Sequence, residues 1–235
     1  MISILYDIFK KWSEKGSVYI YSDPHFGDEE CFQFRLKKNR NKFYLDAFPE
    51  DITTVKQLDR YQIDNINAVC HKNDTLIILG DVGDLECVKY LKAGHKVLIT
   101  GNHDLGASNY KRQKMYDLNP VTNRYFVVSD NKLFDEVYSG PLMISDKIIL
   151  SHEPLIPCPS YLVNLHGHVH DKDHINIVDR IRRYNFCAEA INYKPKSLGE
   201  MIKNGLLSNI DDIHRTTIDF AVERKTRRES GVIKD

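Results

Sequence analysis

The chain has 235 residues, of which 42% are hydrophobic and 28% are charged, and its 33 basic and 33 acidic side chains cancel to a formal net charge of zero. This length and composition fit one globular domain over residues 1–235 and exclude an intrinsically disordered chain. The zero net charge removes the global electrostatic argument for nucleic-acid binding, although local basic patches stay open.

The first half of the chain alternates helical and strand patterns. Apolar residues at helical spacing predict helices at 2–15, 55–71 and 85–91. Short apolar runs predict strands at 18–21, 75–79 and 96–100. The segment 28–53 gives no clear element, and its basic run from Arg35 to Lys42 is typical of a solvated face. The alternative to a solvated face is a lid-like insertion at about 28–53 that faces the substrate.

The second half is richer in predicted strands. A helix is expected over residues 108–118, and strands are expected at 125–128, 141–144, 147–150, 161–165 and 185–190. Ser197 and Glu200 have the spacing of a capping box, which predicts the start of a late helix.

The cysteines and the N-terminal segment bear on the cellular compartment. Five cysteines at wide spacings, without a Cys-x-x-Cys pair, disfavour a disulfide framework and a thiolate zinc site. Asp7, Lys10 and Lys11 interrupt the apolar N-terminal residues, so no signal peptide is indicated. No apolar run has the roughly 18 residues that a membrane span needs. We therefore expect a cytoplasmic protein without a membrane partner.

Polar clusters follow five of the strands or strand candidates. In open α/β sheets ligands bind beyond the carboxyl ends of the strands, so clusters far apart in sequence can converge on one crevice. The candidate metal ligands in these clusters are Asp23, His25, Asp81, Asn102, His152, His168 and His170.

The chemistry of these seven side chains indicates which ions they would hold. They offer oxygen and imidazole nitrogen but no sulfur, a set that suits Mn, Fe, Zn, Co or Ni. Seven ligands exceed what one four-coordinate ion needs. With one bridging carboxylate they fit two divalent ions about 3.5–4 Å apart. Gly80, Gly101 and Gly167 stand beside these ligands, where the backbone must turn sharply.

The order of the motifs resembles the calcineurin-like metallophosphoesterase superfamily, and in particular its compact bacterial and phage-type members. The motifs are Asp23-x-His25, Gly80-Asp81-x-x-Asp84, Gly101-Asn102-His103-Asp104, Ser151-His152 and Gly167-His168-Val169-His170. This resemblance implies an α/β fold with two facing β-sheets flanked by helices, in a four-layer αββα sandwich.

The resemblance also implies roles for these residues. Asp23, His25, Asp81 and His170 would hold one ion, while Asp81, Asn102, His152 and His168 would hold the other. Manganese is the favoured metal, with Fe, Zn, Ni or Co as alternatives. A hydroxide that bridges the ions would attack phosphorus, with His103 as the acid or transition-state stabiliser and Asp104 orienting it. Asp84 and His166 are candidate neighbours of the ligands, although a turn cap fits Asp84 nearly as well.

Three functional hypotheses stay open at this point. Protein phosphatases of the superfamily usually carry Arg after the second motif and Glu in the third, whereas this chain has Leu85-Glu86 and Asp104. We therefore favour a small phosphodiester or phosphomonoester, possibly related to nucleotides, as the substrate. A nuclease that uses the 28–53 segment as a basic platform is the second hypothesis. A non-catalytic metal-binding scaffold is the third, and the intact His103 argues against it.

Overall fold

The computed structural model describes residues 11–39, 48–106, 116–119, 124–127, 133–138, 140–144, 148–155, 163–170, 175–178 and 181–204. These residues form two mixed β-sheets flanked by helices, so the chain is the α/β protein that the resemblance implies. None of the described helices is both long enough and apolar enough to cross a membrane.

The described strands are short and spread over the whole chain. They are β1 (Val18–Tyr21), β2 (Thr75–Ile78), β3 (His95–Ile99), β4 (Tyr116–Asn119), β5 (Arg124–Val127), β6 (Glu136–Tyr138), β7 (Leu142–Met143), β8 (Ile148–Leu150), β9 (Val163–His166), β10 (Ile175–Val178), β11 (Ile181–Asn185) and β12 (Lys196–Ser197). The described helices are α1 (Glu29–Asn39), α2 (Val55–Val69), α3 (Asn102–Gly106) and α4 (Leu198–Lys203), with a 3-10 helix at Leu85–Tyr90.

Helix α2 shows how the sequence sets an element boundary. Thr54 caps its N-terminus, because its side chain accepts the backbone N–H of Gln57 while the Gln57 side chain accepts the backbone N–H of Thr54. Leu58 and Ile66 bury the apolar face of the helix against the core. The helix packs through these side chains, each of which stabilises the fold by roughly 1.5–3 kcal/mol when fully buried.

Parallel strands form the centre of each sheet. The seven-stranded sheet has the order β12-β1-β2-β3-β6-β5-β4, and β1, β2, β3 and β6 are parallel within it. The five-stranded sheet has the order β10-β11-β9-β8-β7, with β8, β9 and β11 parallel. Strand β2 is buried along its whole length, as expected for a parallel strand that is covered on both faces.

The two sheets meet at the carboxyl ends of their parallel strands. Ser22 follows β1 and pairs in a parallel bridge with Cys187, which follows β11. The backbone N–H of Ala188 donates to the carbonyl of Ser22 at 3.1 Å. This junction brings the polar residues that follow the strands of both sheets to one edge of the molecule.

Most predicted elements agree with the structure to within two residues at each end. The predicted strands at 18–21, 75–79, 96–100, 125–128, 141–144, 147–150 and 161–165 correspond to β1, β2, β3, β5, β7, β8 and β9. The late helix begins as predicted, because the backbone N–H of Glu200 donates to Ser197 Oγ at 3.3 Å. Of the predicted helix 2–15, only residues 11–13 are described, and they are helical.

Three predictions are corrected. The helix predicted over 108–118 is wrong at 116–118, which belong to β4 and pair with β5, while 107–115 lie outside the described residues. The strand predicted at 185–190 is also wrong, since β11 ends at Asn185 and turns follow from 188. Within 28–53 the structure has helix α1, and Arg35 is buried rather than solvated, with 2% of its surface exposed.

Glu136 anchors the first sheet through a half-buried charge. Its carboxylate accepts Trp12 Nε1–H and His95 Nε2–H, both at 2.9 Å, and the hydroxyl of Tyr138. Burial opposes the charge of Glu136, but these donors lower the pKa of the carboxyl group to about 2. Its stabilising contribution is therefore complete above the unfolded-state pKa of about 4.3 and is lost as the pH falls towards 2.

We expect Glu136→Gln to lower the free energy of unfolding at pH 7 by about 1–3 kcal/mol, because charged hydrogen bonds are replaced by neutral ones. The loss should be smaller at pH 3, where the wild-type carboxylate has already begun to lose its advantage. Urea unfolding of both proteins at the two pH values measures this difference. An equal loss at pH 7 and pH 3 would contradict the assignment.

Candidate metal centre

All seven candidate ligands lie at the edge where the two sheets meet. The first sheet supplies Asp23 and His25 after β1, Asp81 after β2 and Asn102 after β3. The second sheet supplies His152 after β8, and His168 and His170 after β9. The convergence follows from topology, because parallel strands end at the same edge of a sheet.

Ligand atoms gather in two overlapping groups. Asp23, His25 and Asp81 each bring one ligand atom within 4.8 Å of the others, and so do Asp81, His152 and His168. Asp81 belongs to both groups. Its Oδ2 atom lies 3.6 Å from His25 Nε2 and 3.3 Å from His152 Nε2. This oxygen therefore stands between the two groups.

The remaining two candidates extend these groups. Asn102 Oδ1 lies 2.8 Å from His152 Nε2 and 3.1 Å from His168 Nδ1. His170 Nε2 lies 3.7 Å from Asp23 Oδ1. Atoms that share one transition-metal ion at about 2.0–2.2 Å lie roughly 3–3.5 Å apart. The atoms of Asn102, His152 and His168 already have this spacing.

Asp23 is held by one carboxylate oxygen and presents the other. Its Oδ2 accepts the hydroxyl of Ser22, the backbone N–H of His168 at 2.9 Å and the thiol of Cys187 at 3.2 Å. Its Oδ1 is buried and has no hydrogen-bond partner among the described residues. An unsatisfied buried polar atom costs about 1–3 kcal/mol, so this oxygen fits a site that a cation completes.

Asp81 is also held by one carboxylate oxygen and presents the other. Its Oδ1 accepts the backbone N–H of His103 at 2.9 Å, which leaves Oδ2 directed at the imidazoles of His25 and His152. Burial raises the pKa of Asp81, but the hydrogen bond and charge of His152 outweigh it and hold the pKa below its usual value. Asp81 therefore stays ionised and available to a cation.

Three of the histidines are oriented through Nδ1. The hydrogen-bonded pairs are His25 with Asp28 Oδ2 (3.0 Å), His152 with the Leu79 carbonyl (2.7 Å) and His170 with Glu189 Oε1 (3.0 Å). Each partner is an acceptor, so Nδ1 carries a proton and Nε2 is the nitrogen left for a metal ion, the arrangement typical of metal-binding histidines. The Nε2 of His25 is buried without a hydrogen-bond partner among the described residues.

The backbone is strained where it presents the ligands. Asp23, His25, Asp81 and His168 have φ angles of 53°, 47°, 52° and 66°, in the left-handed region that is costly for residues other than glycine. Hydrogen bonds hold this geometry, as the N–H of Asp23 donates to the Gly80 carbonyl at 3.1 Å and that of His25 to the Asp81 carbonyl at 3.0 Å. Such strain concentrates at functional sites, where the surrounding fold imposes it.

The charges at this edge favour a cation. Burial lowers the pKa of His152, but the hydrogen bond that His152 donates to Asp81 and the charges of Asp23 and Asp81 outweigh the burial and raise the pKa to about 9. The site thus stabilises positive charge at the point where the two groups of ligand atoms join. Buried polar atoms without partners, oriented imidazoles and an oxygen-nitrogen donor set all fit divalent metal ions.

Comparison with known proteins decides the family. The family model described as calcineurin-like phosphoesterase matches residues 16–216. The chain belongs to this family. A solved structure from Aquifex aeolicus, AQ665, described as a protein of unknown function, is similar to this phosphoesterase-family chain with 25% sequence identity and a TM-score of 0.52. The match covers 80% of this chain and 98% of that one. No curated protein sequence matches the chain.

His103 lies at the exposed side of the phosphoesterase site. It stands in the first turn of α3, and its ring meets that of His25 edge to face with centroids 5.2 Å apart. The carboxylate of Asp104 accepts the backbone N–H groups of Gly101, Asp81 and Val82 at 2.7, 2.9 and 2.9 Å. Asp104 thereby links the second motif to the third. The expectation that Asp104 orients His103 stays a prediction.

The two candidate neighbours of the ligands have separate roles. Asp84 Oδ1 accepts the backbone N–H of Glu86 at 3.0 Å and caps the 3-10 helix, which is the turn-cap alternative. His166 is buried in β9 with Nδ1 2.8 Å from the Gly167 carbonyl. Burial lowers the pKa of His166, so its ring is neutral. Neither residue belongs to a group of ligand atoms among the described residues.

Sequence reasoning missed four residues around the ligands. They are Asp28, Cys31, Arg35 and Glu189. Cys31 places its sulfur within 4.8 Å of ligand atoms of His25 and His170, so sulfur lies beside the site although the seven predicted ligands contain none. Burial raises the pKa of Cys31 to about 12, which keeps the thiol neutral. Of these four residues, only Asp28 could have been found from a local sequence signal, because it lies three residues after His25.

Glycine at position 101 makes room for the Asp81 carboxylate. A Cβ atom at Gly101 would overlap Asp81 Oδ1, whereas a Cβ at Gly140 meets no described atom within 4 Å. We expect Gly101→Ala to displace the carboxylate, to destabilise the fold by about 1–3 kcal/mol and to weaken Mn binding at least ~10-fold. Gly140→Ala should leave both unchanged.

Equilibrium dialysis against Mn²⁺ and thermal unfolding of the three proteins measure these effects. Wild-type Mn affinity in Gly101→Ala would show that Asp81 is not held as described.

Proposed function

We propose that this chain is a two-metal hydrolase that cleaves a small phosphodiester or phosphomonoester. The observation that carries the proposal is the position of Asp81 Oδ2, between His25 Nε2 at 3.6 Å and His152 Nε2 at 3.3 Å. A carboxylate oxygen shared by two sets of ligand atoms is what a pair of divalent ions requires. Membership in the phosphoesterase family supports the reaction class.

The ligand sets divide around Asp81. One ion would be held by Asp23, His25, Asp81 and His170, and the other by Asp81, Asn102, His152 and His168. Manganese is the favoured metal, with Fe, Zn, Ni and Co as alternatives that the same donors accept. When bound, two such ions supply positive charge for the phosphate oxygens and lower the pKa of a water molecule towards neutrality.

His103 is proposed as the acid of the reaction. Its ring is exposed at the mouth of the site, while its backbone N–H is fixed to Asp81. The His103 ring can therefore contact a substrate while its backbone stays fixed. It would donate a proton to the leaving oxygen or stabilise charge on that oxygen. Asp104 keeps the loop that carries His103 in register with Asp81.

The nuclease alternative is weakened by Arg35. A basic platform on the 28–53 segment needs exposed cations, and Arg35 is buried with its guanidinium paired to Glu189. Lys37 is exposed, while Arg40 and Lys42 lie outside the described residues. The small phosphate ester therefore remains the preferred substrate class over nucleic acid. The scaffold alternative would go with a lost ligand, whereas all seven candidate side chains are present in the chain.

The proposal is tested by hydrolysis of an aryl phosphodiester and an aryl phosphomonoester with added Mn²⁺. We expect His103→Ala to retain its metal but to lose about 10²–10³-fold in kcat, the usual effect of removing one transition-state donor. Asp81→Ala should lose both metal and turnover. His71→Ala, which changes an exposed histidine in the turn before β2, should behave as wild type.

Metal content and kcat of the four proteins separate the hypotheses. Two bound ions without turnover of any phosphate ester would favour the scaffold, and wild-type kcat in His103→Ala would remove that residue from the mechanism.

A further inference from the structure

A buried ion pair stands directly behind the candidate ligands of one ion. Arg35 Nε lies 2.6 Å from Glu189 Oε1, and the same oxygen lies 3.0 Å from His170 Nδ1. Both charged side chains are enclosed, with 2% of Arg35 and 9% of Glu189 exposed. The two residues are 154 positions apart in sequence, so this contact exists only in the folded chain.

The guanidinium of Arg35 is fixed on all sides. Its Nη2 donates to the carbonyl of Asp23 at 2.6 Å and its Nη1 to that of Pro24 at 2.9 Å. The group also lies over the ring of Tyr193, 5.8 Å from its centroid. With these partners Arg35 has little freedom, so it holds Glu189 in a single orientation against His170.

Stability alone does not account for this arrangement. A buried ion pair loses its hydration, and replacing such a pair with well-packed apolar residues is often neutral or stabilising. The hydrogen bonds of Arg35 and Glu189 instead lead to Asp23 and His170, two residues proposed to hold the same ion. The pair thus connects the first and last motifs of one ligand set.

His152, in the other ligand set, is oriented differently. His152 Nδ1 meets the neutral backbone carbonyl of Leu79 at 2.7 Å, whereas His170 Nδ1 meets a carboxylate. A charged acceptor raises the basicity of the imidazole and fixes its tautomer more strongly than a neutral one. The opposite nitrogen, His170 Nε2, lies 3.7 Å from the buried Asp23 oxygen for which the described part of the chain offers no hydrogen-bond partner.

We infer that Glu189, held in place by Arg35, is a positioning residue that sets the affinity for the ion bound through His170 and leaves the ion at His152 and His168 unaffected. The inference rests on the two-metal centre proposed above. The buried pair would thus change the binding affinity for one of the two neighbouring ions and not for the other.

The test uses the full chain and its glutamine variant. Glu189→Gln keeps the shape of the side chain but removes its charge, so we expect about 10–100-fold weaker binding of one Mn²⁺ ion and unchanged binding of the other. Mn²⁺ titration followed by electron paramagnetic resonance resolves the two steps. Wild type should pass to a spin-coupled pair, while Glu189→Gln should hold a single uncoupled ion over a wide concentration range.

Two variants calibrate the measurement. Glu136→Gln removes the charge of a half-buried glutamate that also contacts a histidine, His95 at 2.9 Å, and it lies away from the candidate ligands. It should bind both ions as wild type does, even though it is less stable. His170→Ala should lose the same ion as Glu189→Gln, but more completely.

The outcomes are distinct. Wild-type affinity for both ions in Glu189→Gln, or an equal loss of both, overturns the inference. Failure of the wild-type protein to bind two ions overturns the proposed function instead. If circular dichroism shows that Glu189→Gln is unfolded, Glu189→Asp takes its place, since it keeps the negative charge but is one methylene shorter, which lengthens the contact with His170 Nδ1. Selective weakening of one ion in that folded variant supports the inference, and wild-type affinity for both overturns it.

Discussion

Two buried carboxylates, Asp23 and Asp81, are the constraint on which this structure depends, because an anion removed from water must find charged or hydrogen-bonding partners. Each carboxylate is satisfied at one oxygen by neighbouring donors and aims the other at imidazoles. The histidines are held in turn by acceptors behind them, namely Asp28, Glu189 and the Leu79 carbonyl. The polar centre is therefore built in layers around the candidate ligands, and its inner oxygen and nitrogen atoms fit a metal ion.

The apolar core supports the strained turns that present these polar residues. Parallel strands of both sheets end at one edge, and their turns are forced into left-handed backbone at four of the ligands. Helix α2 braces the first of these turns, as Asp59 accepts the N–H of Gly27 and Gln62 donates to the Pro24 carbonyl at 3.0 Å. These two polar residues are buried on a helix face that is otherwise apolar. Stability from the core thus holds a strained site in place.

Membership in the family indicates the type of reaction but not the substrate, and there is a physical reason for this difference. The candidate ligands follow from the reaction typical of the family, since two ions need a bridging carboxylate and imidazoles. The surfaces that meet the rest of a substrate are not dictated by that chemistry, which is why the reaction class is better defined than the substrate. Helix α1 and the residue before it bring Asp28, Cys31 and Arg35 up to the candidate ligands.

The sequence by itself predicted β1, β2, β3, β5, β7, β8 and β9 and the seven candidate ligands, because a short apolar run followed by Asp, Asn or His is a local pattern. It failed at β4, which pairs with β5 rather than forming a helix, and at Arg35, which a basic run made appear solvated. Only the tertiary structure decided that Arg35 meets Glu189 and that Cys31 faces His25 and His170. The reason is that a charged side chain is buried only when a distant partner compensates it, and no local pattern records that partner.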